Sequence, residues 1–279
     1  MAIKSAQENL KTVYPVWHEI RREAEAAVHS EPAVSSMMYS YVLNHDTLEQ
    51  AVAARIADRL ENHDLRSSVF VDAYRDAIED QPVIGEKIRA DITAVYERDP
   101  ACQRFIEPLL YFKGFQALQA HRLTNWLHAR GHRDLSLVIQ SAISMRFQVD
   151  INPAVKLGRG IFIDHGTGVV IGETAEIGDN VSILQNVTLG GTGKTGGDRH
   201  PKIDEGVLIG AGAKVLGNIK IGSCARIASG SVVLKDVPPE TTVAGVPAKV
   251  VGQAGCSEPS RSMDQILAEK EVLFTAQDI

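Results

Sequence analysis

Residues 151–189 read INPAVKLGRGIFIDHGTGVVIGETAEIGDNVSILQNVTL and carry an aliphatic side chain at nearly every sixth position. After an interruption the same spacing continues to residue 233. Because six is a multiple of the two-residue strand period, these side chains point to one side of an extended chain. A fixed short period of this kind predicts a parallel β-helix. The positions that share it are Ile151, Leu157, Ile163, Ile171, Ile177, Ile183, Leu189, Ile203, Ile209, Val215, Ile221, Ile227 and Val233.

The residues before this repeat have a helical period instead. In PLLYFKGFQALQAHRLTNWLHARG, residues 108–131, apolar side chains recur at spacings of three to five, and Gly131 is a suitable helix stop. Segments 52–63 and 83–99 have the same pattern, and Asp134 is the predicted N-cap of a further helix.

The change of period near residue 150 divides the chain. We predict an α+β fold with an all-helical N-terminal domain over residues 1–148, a β-helix of hexapeptide repeats over residues 149–251, and a flexible C-terminal tail over residues 252–279. The tail is polar, contains serine and has left the six-residue period.

Composition and charge exclude several classes of protein. The net charge of −6 and a pI near 5.9 argue against a nucleic-acid-binding surface. The N-terminus has no apolar signal segment, and no apolar run is long enough to span a membrane. The cysteines are odd in number and widely separated, which predicts a reducing, cytoplasmic location. They are Cys102, Cys224 and Cys256.

The six-residue spacing is interrupted twice. The step after Ile163 is eight residues long, and the step after Leu189 is fourteen. Inserted residues in a solenoid must bulge outward if the buried side chains are to stay stacked, and function tends to lie in such insertions. The two interruptions contain the only histidines of the repeat, in the pairs Asp164–His165 and Arg199–His200.

Asp150 makes a catalytic role for His165 more plausible. It lies fifteen residues before His165, and one coil is about eighteen residues, so the two can lie on adjacent coils. A carboxylate bonded to one ring nitrogen fixes the tautomer and leaves the other nitrogen free to accept a proton. The alternative is that His165 is a solvated loop histidine and Asp150 a turn residue.

Two other chemistries fit poorly. The segment LGGTGKTGG, residues 189–197, resembles a phosphate-binding loop, but the motif needs glycine where the chain has Thr188. A zinc lyase on the same β-helix needs about three histidine ligands, and the repeat offers two. We therefore predict no metal site.

Several segments together resemble the serine O-acetyltransferases, a family of hexapeptide-repeat acyltransferases. The central segment is FQVDINPAVKLGRGIFIDHGTGVVIGETAEIGDNVSILQNVTLGGTGKTGGDRHPKI. The others are ADITAVYERDPA and PLLYFKGFQALQAHRL upstream, and GAGAKVLGNIKIG and AGVPAKVVG downstream. The resemblance covers most of residues 80–252 and implies a left-handed parallel β-helix. It also implies transfer of acetyl from acetyl-CoA to the hydroxyl of L-serine in cysteine biosynthesis, inhibition by L-cysteine, and no permanently bound cofactor.

The resemblance also implies roles for individual residues. His165 would be the general base that deprotonates the serine hydroxyl, and Asp150 would orient it. Two carboxylates would bind the serine ammonium, and a cationic pair would bind its carboxylate; these are Asp91 and Asp164, and Arg199 and His200. Without the resemblance, Asp91 would be taken for an exposed carboxylate on a helix face.

The resemblance further implies that acetyl-CoA lies along the β-helix between two subunits of a homotrimer, and that two trimers pair through their helical domains. The expected contacts are Gly191, Thr192, Ala211 and Ser229, with Lys214, Lys235 and Lys249 near the phosphates. The C-terminal Ile279 would enter the active site of O-acetylserine sulfhydrylase. The alternatives are a hexapeptide enzyme that acetylates a sugar or another hydroxyl, and a non-enzymatic scaffold that binds the sulfhydrylase.

Overall fold

The computed structural model describes residues 16–193 and 196–267, beginning with a helical domain. A 3₁₀ turn at Pro32–Val34 and a π turn at Tyr39–Leu43 connect the early helices. The helices of this domain are α1 (Val16–Ser30), α2 (Ser35–Met38), α3 (Leu48–Leu60), α4 (Ser67–Asp80), α5 (Val83–Arg98), α6 (Ile106–Tyr111), α7 (Lys113–Ala129) and α8 (Arg133–Phe147).

Two helix boundaries differ from the prediction. The single helix expected over residues 108–131 is divided at Phe112, whose extended backbone separates α6 from α7. The predicted N-cap at Asp134 is wrong: His132 is the N-cap residue of α8, and Asp134 lies in the first helical turn. A carboxylate is also favourable there because the helix N-terminus carries partial positive charge.

The β-helix begins immediately after α8 and is built from short strands. Sheet A contains β1, β4, β7, β10 and β13, sheet B contains β2, β5, β8 and β11, and sheet C contains the rest. The strands are β1 (Val149–Ile151), β2 (Lys156–Leu157), β3 (Phe162–Ile163), β4 (Val169–Ile171), β5 (Glu176–Ile177), β6 (Ser182–Ile183), β7 (Thr188–Gly190), β8 (Lys202–Ile203), β9 (Leu208–Ile209), β10 (Lys214–Leu216), β11 (Lys220–Ile221), β12 (Arg226–Ile227), β13 (Val232–Val233), β14 (Thr241–Gly245) and β15 (Ala248–Gln253).

The repeat positions form the core of this β-helix. All thirteen aliphatic side chains of the six-residue pattern are buried. In sheet A they stack in parallel register from coil to coil, in the order Ile151, Ile171, Leu189, Val215 and Val233. Both insertions leave this stacking intact, so the inserted residues lie outside the wall. The predicted fold class, a helical domain followed by a parallel β-helix, is confirmed.

Two edges of sheet A position the functional residues. At the CA edge the chain passes from sheet C to sheet A, over residues 164–168, 184–187, 210–213 and 228–231. At the AB edge it passes from sheet A to sheet B, over residues 152–155, 172–175, 191–201 and 217–219. The first interruption of the repeat therefore lies on the CA edge and the second on the AB edge.

The described part of the C-terminal segment packs against the β-helix, in contrast to the predicted flexible tail. It contains helix α9 (Pro259–Ser262). The hydroxyl of Ser182 donates to the carbonyl oxygen of Ser260 at 2.8 Å, and the Arg226 guanidinium donates to that of Ile266 at 3.1 Å. Ile279 lies outside the described residues. Among the described helices, none has the length and apolar character needed to cross a membrane.

Candidate active site

The first interruption forms a tight loop that presents His165 to the outside. His165 has a left-handed backbone, with φ of 55°, and Gly166 and Gly168 also have positive φ. The backbone N–H of Gly168 donates to the carbonyl oxygen of Gln148 at 2.8 Å, which fastens the loop to the start of β1. The His165 side chain is 72% exposed. The raised loop therefore leaves the imidazole open to a ligand.

Two carboxylates lie beside this loop. The Oδ1 atom of Asp164 lies 3.8 Å from Nε2 of His165, and the Asp164 side chain is 24% exposed. Burial raises the pKa of Asp164, and the negative charge of nearby Asp99 adds to the rise, while a protonated His165 would lower it. The CA edge thus combines an open imidazole with two acidic groups.

The prediction that Asp91 binds substrate is wrong. Asp91 is completely buried. Its Oδ2 accepts from the Arg122 guanidinium at 2.6 and 3.1 Å and from Gln119 at 2.9 Å. Its Oδ1 accepts from the backbone N–H of Ile161 at 2.9 Å. No carboxylate oxygen is left for a ligand, and Asp91 is not the exposed helix-face carboxylate of the alternative interpretation either.

The carboxylate whose negative charge acts on Asp164 is instead Asp99, which sequence reasoning missed. Asp99 directly follows helix α5 and is half-buried. The available signal was its place in the segment ERDPA, between the helix and Pro100. Binding residues concentrate in such connecting segments.

Asp150 does not contact His165 in this structure. It lies in β1, and its Oδ1 accepts from the Gln140 side-chain amide at 2.7 Å. The two residues are nevertheless in adjacent parts of the fold, because Gly168 of the His165 loop donates to Gln148 and a Cβ on Gly166 would come within 3.0 Å of the Val149 side chain. Asp150 and His165 therefore lie in neighbouring parts of the β-helix but are not joined by a hydrogen bond.

The second interruption holds His200 tightly on the AB edge. The residue is 6% exposed, and its ring lies so close to Gly172 that a Cβ there would come within 2.1 Å of Nε2. The backbone N–H of Thr174 donates to Nδ1 of His200 at 3.1 Å, and the Thr174 hydroxyl lies 2.8 Å from the same atom. Because Nδ1 accepts a hydrogen bond, the proton of the neutral ring is on Nε2.

Charges surround His200. The Arg199 guanidinium donates to the Glu173 carboxylate at 2.9 Å, and the Arg199 side chain is 29% exposed. Burial lowers the pKa of His200, and the positive charge of Arg199 lowers it further. His200 is thus held as a neutral hydrogen-bond donor next to a guanidinium, an arrangement suited to a carboxylate ligand.

One chain does not bring the two histidines together. They lie on opposite edges of sheet A, and the extended backbone from residue 168 to residue 172 alone covers roughly 13 Å. A molecule as small as serine cannot contact both edges of one subunit. A site that uses both pairs therefore needs a neighbouring copy of the chain.

The residues predicted to contact acetyl-CoA are divided between the same two edges. Gly191 and Thr192 begin the long loop of the AB edge, and Ala211 and Ser229 lie on the CA edge. Of the three lysines, Lys214 lies on sheet A, where its ammonium donates to the carbonyl oxygen of Asn186. The other two are exposed, Lys235 after β13 and Lys249 in β15.

The large cavity of the helical domain lies away from the predicted site residues. A cavity of about 860 Å³ lies in the helical domain, between α1, α5 and the segment up to Phe105, and none of the predicted site residues lines it. Among the described residues, no three His, Cys, Asp or Glu side chains are grouped so that they could hold a metal ion.

Known proteins share both the sequence and the architecture. Residues 16–120 match the family described as serine acetyltransferase, N-terminal, and residues 200–235 match bacterial transferase hexapeptide (six repeats). A serine acetyltransferase of Salmonella typhimurium is 51% identical over 250 residues, which are 90% of this chain and 92% of that protein.

Solved structures give the same result. A Brucella abortus serine acetyltransferase in complex with coenzyme A has a TM-score of 0.86 and 53% identity, over 88% of this chain and 99% of that one. A serine acetyltransferase in complex with cysteine has a TM-score of 0.89 and 46% identity, over 91% and 98%. The Neisseria gonorrhoeae enzyme in complex with serine has a TM-score of 0.83 and 48% identity, over 85% and 98%. At this identity and coverage, the chain belongs to the serine acetyltransferase family.

Proposed function

We propose that this chain transfers the acetyl group of acetyl-CoA to the hydroxyl of L-serine, giving O-acetyl-L-serine and free CoA for cysteine biosynthesis. The observation that carries the proposal is the exposed His165 imidazole beside Asp164 and Asp99 on the CA edge. A base and an ammonium-binding pair of carboxylates are what an amino acid with a poorly nucleophilic hydroxyl requires. Family relatives that are bound to coenzyme A and to serine support the same substrates.

The reaction needs one proton to be moved twice. His165 accepts the proton of the serine hydroxyl while the oxygen attacks the thioester carbonyl carbon. The tetrahedral intermediate then collapses, the carbon–sulfur bond breaks, and the imidazolium returns the proton to the CoA sulfur. Such general acid–base catalysis contributes about 10²–10⁴-fold. Asp150 orients His165 in this proposal, which is supported by the hydrogen bond from Gly168 of the His165 loop to Gln148, two residues before Asp150.

The substrate is bound by groups from two subunits. Asp164 and Asp99 of one chain hold the ammonium, with Asp99 in the place that sequence reasoning gave to Asp91. Arg199 and His200 of a neighbouring chain hold the carboxylate, because they lie on the opposite edge of sheet A in their own chain. The proposal therefore requires an oligomer. The resemblance to the family implies a trimer, with two trimers pairing through their helical domains.

Acetyl-CoA lies between adjacent β-helices in this arrangement. The predicted contacts on both edges, among them Gly191 on the AB edge and Ala211 on the CA edge, would then come from two neighbouring chains. L-Cysteine would occupy the serine site as an inhibitor, since it differs from serine only in a thiol for the hydroxyl. The relative in complex with cysteine supports this part.

Two further expectations concern the cellular context. Ile279 would bind in the active site of O-acetylserine sulfhydrylase, and the enzyme would be cytoplasmic. Both rest on the resemblance to the family.

The direct test is release of free CoA thiol from acetyl-CoA with and without L-serine. We expect serine-dependent release in the wild type and a fall of at least about 10²-fold in His165→Ala. His63→Ala is the control, because His63 is an exposed histidine of the helical domain. Release with a sugar acceptor but not with serine would overturn the proposed substrate, and an unchanged rate in His165→Ala would overturn the base.

A further inference from the structure

Asp91 forms a buried connection between the helical domain and the first coil of the β-helix. It lies in the middle of α5, and its partner Arg122 in α7 is 6% exposed. Arg122 also donates to the carbonyl oxygen of Gly158 at 3.0 Å. A buried ion pair is tolerated only when its remaining hydrogen-bonding capacity is satisfied. Here part of that capacity is met by the β-helix backbone, at Gly158 and Ile161.

Two segments of similar length lead from this connection to the proposed ammonium site. Along α5, Asp99 follows Asp91 by eight residues, or about 12 Å of helix. Along β3, Asp164 follows Ile161 by three residues, or about 10 Å of extended chain. The hydrogen bond from Ile161 to Asp91 joins the segments at one end. At the other end Arg98, the neighbour of Asp99, bonds to Ser182 beside β3, and the charge of Asp99 acts on Asp164.

The two segments are also packed together along their length. Val95 of α5 and Phe162 of β3 belong to one small buried cluster. Near the far end, the guanidinium of Arg98 donates to the hydroxyl of Ser182 at 3.0 Å, and Ser182 pairs in register with Phe162. A shift of α5 at Asp91 would therefore be carried along the helix to Asp99.

We propose that Asp91 is a positioning residue that sets the separation between Asp99 and Asp164, and through it the affinity for the serine ammonium. The inference rests on the proposed function, in which these two carboxylates bind that ammonium. Asp91 itself contacts no substrate. Weakening its bond to the β-helix should impair binding of serine more than binding of acetyl-CoA, whose predicted contacts lie on the β-helix alone.

A second ion pair on α5 supplies a matched control. Arg89 donates to Glu49 of α3 at 2.6 Å, so this pair fixes the same helix to a different neighbour and makes no contact with the β-helix. If α5 only needed general stabilisation, Glu49→Gln and Asp91→Asn would alter the kinetics in the same way.

The experiment is steady-state kinetics of the full-length oligomer. In Asp91→Asn we expect the KM for L-serine to rise about tenfold, with the KM for acetyl-CoA changed less than about twofold, because misplacing binding groups by a fraction of an ångström is costly. In Glu49→Gln we expect neither constant to change by more than about twofold. Equal rises of both constants in Asp91→Asn would overturn the proposal.

A double-mutant cycle with Asp99→Ala makes the test specific. If Asp91 acts through Asp99, Asp91→Asn should add no further rise in the serine KM once Asp99 is absent. Additive rises would overturn the proposal. Gln119→Met removes only one of the hydrogen bonds to Asp91, so it should also raise the serine KM, but by less than Asp91→Asn. This variant keeps the test usable if Asp91→Asn does not fold. A wild type that does not use serine would overturn the proposed function instead.

Discussion

His165 and His200 lie on opposite edges of the same sheet, and their surroundings differ in almost every respect. On the CA edge, the His165 side chain is 72% exposed, and the nearest charged atom is an Asp164 oxygen at 3.8 Å. On the AB edge, His200 is 6% exposed and receives a backbone hydrogen bond at Nδ1. The first ring is free to change its contacts, whereas the second is fixed in one tautomer.

This difference corresponds to two kinds of work. A general base must reach the substrate proton and give it up again, so it needs an open position. A group that recognises a carboxylate needs a fixed donor direction, which Thr174 provides for His200. In the proposed reaction these two tasks lie on separate edges of sheet A, so one substrate would meet both only between two copies of the chain.

The sharpest test of this division is complementation between inactive variants. His165→Ala and Arg199→Ala should each lose at least about 10²-fold in activity when expressed alone. When co-expressed in equal amounts, they should recover about a quarter of wild-type activity, because about one site in four of a random oligomer receives both intact halves. Activity is measured as CoA release from the purified mixed oligomer.

A control mixture distinguishes subunit exchange from simple addition. His165→Ala co-expressed with Asp164→Ala should give no recovery, since both changes lie on the CA edge and every site then lacks one of them. Recovery in this control, or its absence in the first mixture, would show that the two edges do not meet between subunits.

A smaller effect, on the KM for serine, is expected from changing Thr174, the residue that fixes the ring of His200. Thr174→Val removes the hydroxyl that lies at Nδ1 and that also accepts the backbone N–H groups of Arg199 and His200 at 3.0 and 3.2 Å. We expect the serine KM to rise about tenfold, because unpaired N–H groups and a freer ring cost about 1–2 kcal/mol. Steady-state kinetics measures it, with Thr93→Val as the control. A fall in kcat with an unchanged serine KM would instead place His200 among the groups that act on the reacting atoms.

The sequence could predict the β-helix almost completely because its repeat records the core directly. Each aliphatic position of the pattern is buried, and the two irregular steps mark the two functional loops. It could also have predicted their different edges. The first irregular step follows the third repeat, and the second follows the seventh. Because three repeats make one coil, the third and seventh repeats lie on different sheets, so the two loops cannot share an edge.

The helical domain was less predictable because helical periodicity does not say which partner a face contacts. Asp91 and Asp99 are eight residues apart on and just beyond α5, so they project towards similar sides. Only the packing of α7 against α5, which supplies Arg122 at 2.6 Å, decides that Asp91 is buried and unavailable to a ligand, whereas Asp99 is the proposed binding residue. That contact joins residues far apart in sequence, which local patterns cannot report.

The smallest expected effect concerns the pH dependence of stability, and it contrasts His200 with a buried carboxyl of the helical domain. His200 has a lowered pKa, so below about pH 6.5 the unfolded chain binds a proton that the folded chain does not, and this group destabilises the fold as the pH falls. Burial raises the pKa of Glu23 to about 7, so the stability that Glu23 contributes changes in the opposite sense and declines as the pH rises from 4.5 to about 7.

We compare the change in melting temperature between about pH 7 and about pH 5 in each variant with that of the wild type. In His200→Gln this change should be more favourable to the folded state than in the wild type, and in Glu23→Gln it should be less favourable. Melting temperatures at one fixed protein concentration measure both differences. If both variants differed from the wild type in the same direction, His200 would not be held neutral in the folded protein. The two edges would then differ in the exposure of their histidines but not in the charge state of His200.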